Sequence, residues 1–202
     1  MVKKIVSACL LMAFGSTLQA QSEFQSKTFI GFEIESSKTE SSLQLGDTPK
    51  FNFESGSVVE YGARIGAEND EWRTTLLYTY YNDGDNGAEE TMHKGSVLID
   101  YFFWKTDTNS MTIKPYIGVH VGYMTYELEG DLLVVGVPQT ISDGAGVFYG
   151  GQAGIAMTVS EVVGLDISYK YSLTGVDDSP VPDSRFKLDS IGSIAFSINY
   201  YY

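Results

Sequence analysis

The residues of this chain that can carry chemistry are few, and most are ionic. Glu33, Glu60, Asp100, Asp166 and Asp189 fall on the small or polar side of alternating segments, with Arg64, Arg73 and Lys170 as counter-charges and His120 set among glycines. Charges withdrawn from water persist only when paired and hydrogen-bonded, so this set suits a buried ionic network. Catalysis asks for something else, a nucleophile within hydrogen-bond reach of a base, and the alternating segments put none beside His120. His93 is read as solvated, at a loop-to-strand junction. Two His and one Cys are poor material for a metal site. The acids Asp83, Asp85, Glu89 and Glu90 invite a calcium reading, but Gly87 stands where a ligand is needed and Lys94 where the closing glutamate belongs. That run is read as solvated charge. No catalytic residue, no metal site and no cofactor is assigned.

The elements that must position the ionic set are strands. The chain has 202 residues, with 13 Lys plus Arg against 26 Asp plus Glu, and the resulting net charge of −13 argues against nucleic acid as a partner. With 43% apolar and 13% aromatic residues it is too hydrophobic to stay disordered. Lys3 and Lys4, the apolar run from Ile5 to Phe14 and the small Ala20 read as a secretory signal over residues 1–20. Residues 21–202 then form one domain. A lipid-anchored reading of Val6-Ser7-Ala8-Cys9 is disfavoured because the apolar run continues past Cys9, which also leaves the mature domain without a cysteine. That domain holds 11 basic and 26 acidic residues, a formal −15.

Eight segments alternate with period two. Thr28, Ile30, Phe32 and Ile34 share a face opposite Phe29, Gly31, Glu33 and Glu35. Val59, Tyr61, Ala63, Ile65 and Ala67 oppose Glu60, Gly62, Arg64 and Gly66, and the same pattern follows from Trp72 to Tyr81, Ser96 to Phe103 and Tyr116 to Tyr123. It returns from Tyr149 to Val159, from Val163 to Tyr171 and from Ser193 to Tyr202. The connections fix how these strands are used. Long ones are expected over residues 36–56, 82–92, 127–145 and 174–186, and short ones over 68–71, 105–110 and 160–162. Strict alternation of long and short puts every long loop at one end, as in a transmembrane barrel, whereas a soluble sandwich has no reason for that asymmetry. The fold class is therefore all-β, an eight-stranded antiparallel up-and-down transmembrane β-barrel, apolar outside and ionic inside. A two-residue turn at Asn69 and Asp70 is expected to pair Gly66 with Arg73. Trp72, Phe103 and Tyr202 are expected in one aromatic girdle, with Tyr80 and Tyr171 in the other.

The segments Val97-Leu98-Ile99-Asp100-Tyr101-Phe102-Phe103, Lys114-Pro115-Tyr116-Ile117-Gly118-Val119, Gly151-Gln152-Ala153-Gly154-Ile155 and Leu165-Asp166-Ile167-Ser168-Tyr169-Lys170-Tyr171 resemble the small eight-stranded outer-membrane barrels: the OmpA-type transmembrane domain, OmpX and opacity-like proteins. The likeness covers residues 26 to 202. It implies the outer membrane of a Gram-negative cell, both termini periplasmic and the long loops extracellular. Ile194, Phe196, Ile198, Tyr200 and the terminal Tyr202 resemble the signal read by the outer-membrane assembly machinery. That machinery, outer-membrane lipid and lipopolysaccharide are the implied partners, with a surface ligand still to be identified. No peptidoglycan-binding domain follows the barrel, so the anchoring role of full OmpA is not implied. Lipid-A deacylase barrels are similar in placing a His and a Ser on one strand, but the corresponding position here is Gly122.

The expected function is a structural or surface-interaction role, adhesin-like, through the loops, since exposed loops on a rigid scaffold carry recognition. A narrow pore is the alternative and a lipid-modifying enzyme the third reading. Side chains fill an eight-stranded lumen, so little conductance is expected, and Arg64→Ala is expected to raise it. Acidic loops (Asp83, Asp85, Glu89, Glu90; Glu127, Glu129, Asp131, Asp143) favour partners that are basic, apolar or bridged by divalent cations.

Overall fold

The computed structural model describes residues 26–45, 49–54, 57–85, 88–108, 110–131, 138–178 and 184–202. The expected signal segment, with Cys9, lies outside them. Eight long strands form one antiparallel sheet: β1 (Lys27–Leu45), β2 (Val58–Glu68), β3 (Trp72–Asp85), β4 (Ala88–Phe102), β5 (Thr112–Asp131), β6 (Pro138–Ser160), β7 (Val163–Thr174) and β8 (Ser184–Tyr201). Each pairs with its sequence neighbour, and β8 returns to β1, with Phe29 opposite Tyr201 and Ile34 opposite Phe196. The sheet is a closed barrel, which removes the unpaired edges an open sheet would expose. Short ribbons at Phe51–Glu54, Thr106–Asp107 and Asp177–Asp178 extend it.

Alternation places the side chains as the period-two rule requires. Ile30, Phe32, Ile34, Val119, Val121, Phe196 and Ile198 stand exposed on the outer wall, while Phe29, Glu33, Glu35, Arg73, Asp100 and Asp166 are buried in the lumen. Trp72 packs on Tyr101 across β3 and β4, ring centroids 4.9 Å apart, and Phe103, Trp104 and Tyr202 are exposed near the same short-turn end.

Two expectations about connections are corrected. The β2–β3 turn is longer than two residues: Glu68 lies opposite Arg73 and Ile65 opposite Leu76, a shift of two from the expected pairing. Asn69 sets it, its Oδ1 accepting the backbone N–H of Glu71 at 2.8 Å and of Trp72 at 2.7 Å, while its own N–H donates to the Trp72 carbonyl at 2.9 Å. A shift of two keeps every side chain on its face, so alternation alone cannot detect it. The segments read as long loops are also mostly strand. β3 and β4 stay paired as far as Asp85 and Ala88, and β5 and β6 as far as Asp131 and Pro138. The long connections are thus hairpins that outgrow the barrel wall at one end.

Candidate functional site

The lumen is the most organised feature of the molecule, and it has layers. Nearest the short-turn end, Lys114 Nζ reaches Glu68 Oε1 at 2.5 Å and Tyr201 donates to Glu68 Oε2 at 3.1 Å. The ammonium of Lys114 also lies 4.2 Å from the Phe102 ring centre. Next comes Arg73, the second residue of β3, which donates from Nε to Asp100 at 2.8 Å and from Nη1 to Asp166, with its guanidinium 4.5 Å from the Tyr116 ring. Tyr116 donates to Asp166 Oδ1 at 2.5 Å, and Gln152 donates to Asp100. Both carboxylates therefore carry hydrogen bonds beyond the ion pair, which is what makes a buried carboxylate tolerable.

Above this, Arg64 donates to Glu33 Oε2 at 3.0 Å and to Ser197. Lys170 bridges Glu33 and Glu35, the latter at 2.9 Å. Lys94 continues the chain to Glu35 at 3.5 Å and to Glu60 Oε1 at 2.9 Å, and Ser37 donates to Glu60 at 2.6 Å. Toward the hairpin end, His120 Nε2 is hydrogen-bonded to Ser172 Oγ at 2.8 Å, under the ring of Phe148. The uppermost layer is apolar: Tyr81, Met92, Met124, Phe148, Val176, Leu188 and Ile191 form one buried cluster across the bore.

Seven of the ionic residues expected from the sequence thus meet in the lumen: Glu33, Glu60, Arg64, Arg73, Asp100, Asp166 and Lys170. Asp189 does not. A β-bulge where β8 passes Glu40 and Ser41 breaks the alternation, so Asp189 turns to the outer wall, where Ser42 donates to it at 2.6 Å and Lys50 and Lys187 each pair with it at 3.2 Å. His120 pairs with Ser172 and Arg64 with the single carboxylate of Glu33. Sequence reasoning missed Glu35, Glu68, Lys94 and Lys114. Glu35 already falls on the inward parity of the first alternating segment but was not counted with the ionic set, and extending the alternation two residues up β4 from Ser96 would have found Lys94. With them the described lumen holds six carboxylates and five bases, near balance.

His93 lies on the outer wall instead of in a solvated loop, accepting or donating at Nδ1 with Tyr78 OH at 2.7 Å and stacking 5.0 Å from Tyr80. The side chains of Asp83, Asp85, Glu89 and Glu90 lie outside the described residues, and among the described residues no cluster of three or more His, Cys, Asp or Glu could hold a metal ion. Gly122 has a packing reason. It sits opposite Phe148, and a Cβ there would come within 2.5 Å of the ring. Gly154 seats Tyr116 in the same way, at 2.7 Å. Glycine opposite an inward ring lets that ring lie flat across the bore.

His120 and Ser172 are close enough for a base and nucleophile, but both are buried, and His120 Nδ1 meets no orienting acid among the described residues.

A closed barrel with an apolar outer wall and paired charges within is the architecture of an integral outer-membrane β-barrel, since only closed barrels and helices satisfy every backbone group in lipid. The family model described as opacity family porin protein matches residues 65–189, and the chain belongs to that family. Among solved structures the chain is similar to Neisserial surface protein A, with 18% identity, 85% of this chain and 97% of that one covered, and a TM-score of 0.49. It is similar also to Ail, the attachment invasion locus protein of Yersinia pestis (12% identity, 89% and 99% covered, TM-score 0.44). A third is the N-terminal β-barrel domain of Pseudomonas aeruginosa OprF (13% identity, 85% and 97% covered, TM-score 0.38). No curated protein matches the chain.

Proposed function

We propose that this protein is a surface-interaction barrel, adhesin-like, whose rigid, plugged wall presents four hairpin ends to the outside of the cell. The filled lumen is the observation that carries this reading: Arg73 and Lys94 each tie carboxylates from two different strands, Lys170 on β7 holds two carboxylates of β1, and an apolar layer lies above them. A bore filled in this way is a scaffold and a poor conduit. In this reading both termini are periplasmic, the short turns face the periplasm and the hairpins face the medium, with Ile194, Phe196, Ile198, Tyr200 and Tyr202 serving as the assembly signal. Residues 1–20 act as the secretory leader. The hairpin acids favour a ligand that is basic, apolar or cation-bridged.

The word porin in the family description keeps the pore as the second reading, and the ionic layers weigh against it. An enzymatic role ranks third, because the His120–Ser172 pair lies sealed inside the wall. The test is adhesion. Cells displaying the barrel should bind host-cell or neighbour-cell surfaces, and replacing residues 132–137 and 179–183 with Gly-Ser segments should abolish binding while leaving the heat-dependent gel mobility of the barrel intact. Unchanged adhesion after both replacements would refute the reading.

A further inference from the structure

A small cavity interrupts the filled bore where the ionic layers give way to the apolar plug. Its volume is about 20 Å³; Phe148 and Leu77 border it on the apolar side, and Lys94, Lys170, His120 and Thr79 on the polar side. Two of these polar groups are unsatisfied. His120 is only 6% exposed and Thr79 2%, yet His120 Nδ1 and Thr79 Oγ1 meet no hydrogen-bond partner among the described residues. Buried polar atoms are costly to leave unpaired, and an ordered water satisfies them wherever a polar cavity has room for one. Room of about 10–15 Å³ by this measure holds one water molecule.

Charge selects what fills it. In the adjoining layers Arg64, Lys94 and Lys170 pair with Glu33, Glu35 and Glu60, three bases against three carboxylates. A chloride would add an unmatched negative charge and a sodium ion an unmatched positive one, and buried charge persists only when paired. A neutral ligand is left. The hydrogen-bond inventory then orients it. Lys94 and Lys170 each hold two carboxylates, so a third N–H of either ammonium can be given to the cavity. The carboxylate of Glu35, which also borders the cavity, is already taken by Lys94, Lys170 and Ser37. Donors are therefore in surplus, and the acceptor still to be filled is the Nδ1 lone pair of His120.

We propose that this cavity binds a single water molecule that accepts from an ammonium N–H of Lys94 or Lys170, donates to His120 Nδ1 and hydrogen-bonds Thr79 Oγ1. The consequence is chemical. With Nδ1 accepting, the ring proton sits on Nε2, and His120 donates it to Ser172 Oγ across their 2.8 Å contact. A histidine that gives its proton to the serine cannot take the serine's, so the water fixes as a structural contact the one pair in the lumen that has the spacing of a base and a nucleophile. The site is independent of what the hairpin tips bind.

The experiment joins crystallography to imidazole nitrogen NMR on the folded barrel. Crystals grown in bromide instead of chloride, diffracting well enough to order solvent, should show one water within hydrogen-bond distance of His120 Nδ1 and Thr79 Oγ1 and no anomalous bromide signal there. At neutral pH the His120 ring should carry its proton on Nε2, with Nδ1 as the unprotonated nitrogen. Thr79→Leu, which removes the hydroxyl and fills the cavity, should expel the water and release the ring into a mixture of tautomers, whereas Thr79→Ser should keep both the water and the Nε2 proton. A dry cavity, a bromide peak, a proton on Nδ1 in the wild type, or an unchanged tautomer in Thr79→Leu would each overturn the proposal. The wild-type measurements decide it even where Thr79→Leu does not fold.

Discussion

The two halves of the lumen are closed by opposite means. Toward the short turns, Arg73, Asp100, Asp166, Lys114 and Glu68 fill the bore with charge. Toward the hairpins, Met92, Met124, Phe148 and Leu188 fill it with hydrocarbon. The ionic half is specific, because each partner must sit at one height on one strand, so it fixes which strand faces which. The apolar half is tolerant of shape but costs nothing in desolvation, and it keeps water from the ionic layers below. Stability in this barrel should therefore fail differently at its two ends.

The largest effect is expected from Arg73→Met, which leaves Asp100 and Asp166 buried without their cation. The loss should be about 3–5 kcal/mol, as for a broken buried pair. Urea unfolding in vesicles, followed by tryptophan fluorescence, measures it, and a loss below 1 kcal/mol would show that water reaches these acids. In the apolar half, Met124→Ala should cost about 2–4 kcal/mol through lost burial and an unfilled cavity. Its signature is insensitivity to salt and to pH between 5 and 9; a salt-dependent loss would mean the plug is wet.

Gly122→Ala comes next. The added methyl meets both the Phe148 ring and the Gly95 carbonyl within 2.5 Å, and overpacking of this kind costs about 1–3 kcal/mol. Pairing it with Phe148→Leu should return part of the loss, and full additivity of the two would contradict the ring-over-glycine packing. The smallest effect belongs to Lys105 at the outer end of the short-turn region. Its hydrogen bond to Asp70 at 3.0 Å raises its pKa above the ordinary lysine value, yet both groups are well exposed. A raised base stabilises below its unfolded pKa and loses that contribution as pH climbs through the folded one. Lys105→Ala should therefore cost less than about 1 kcal/mol at neutral pH, and the difference from wild type should vanish only in strong alkali or high salt. A pH-dependent difference near neutrality would place another group in the interaction.

Most of the wall was legible because alternation with period two is a direct consequence of strand geometry, and Thr28 to Ile34 or Ile194 to Tyr202 can be read no other way. The lumen was partly legible for the same reason: Arg64, Arg73, Asp100 and Asp166 fall on the inward parity. What alternation cannot carry is register and length. The Asn69 turn moved β3 by two residues without moving any side chain to another face, and the bulge near Glu40 reversed the parity of Asp189. Strand continuation through polar residues hid Lys94, since Thr, Glu, Gly and Asn near hairpin tips look like loop. The apolar plug was hidden too, because Met92, Met124 and Leu188 occur singly in polar stretches and meet only across the closed barrel.

The central claim is that charge and hydrocarbon close the same bore in series. This also revises the expectation for Arg64→Ala, which removes one ionic partner and leaves the plug in place. Planar-bilayer recording of the wild type, Arg73→Met, Phe148→Gly and the double variant tests it most directly. The account predicts silence from the wild type and from either single variant, and measurable conductance only when both closures are breached. Stable, large unitary currents from the unmodified protein would contradict it and return the pore reading to first place.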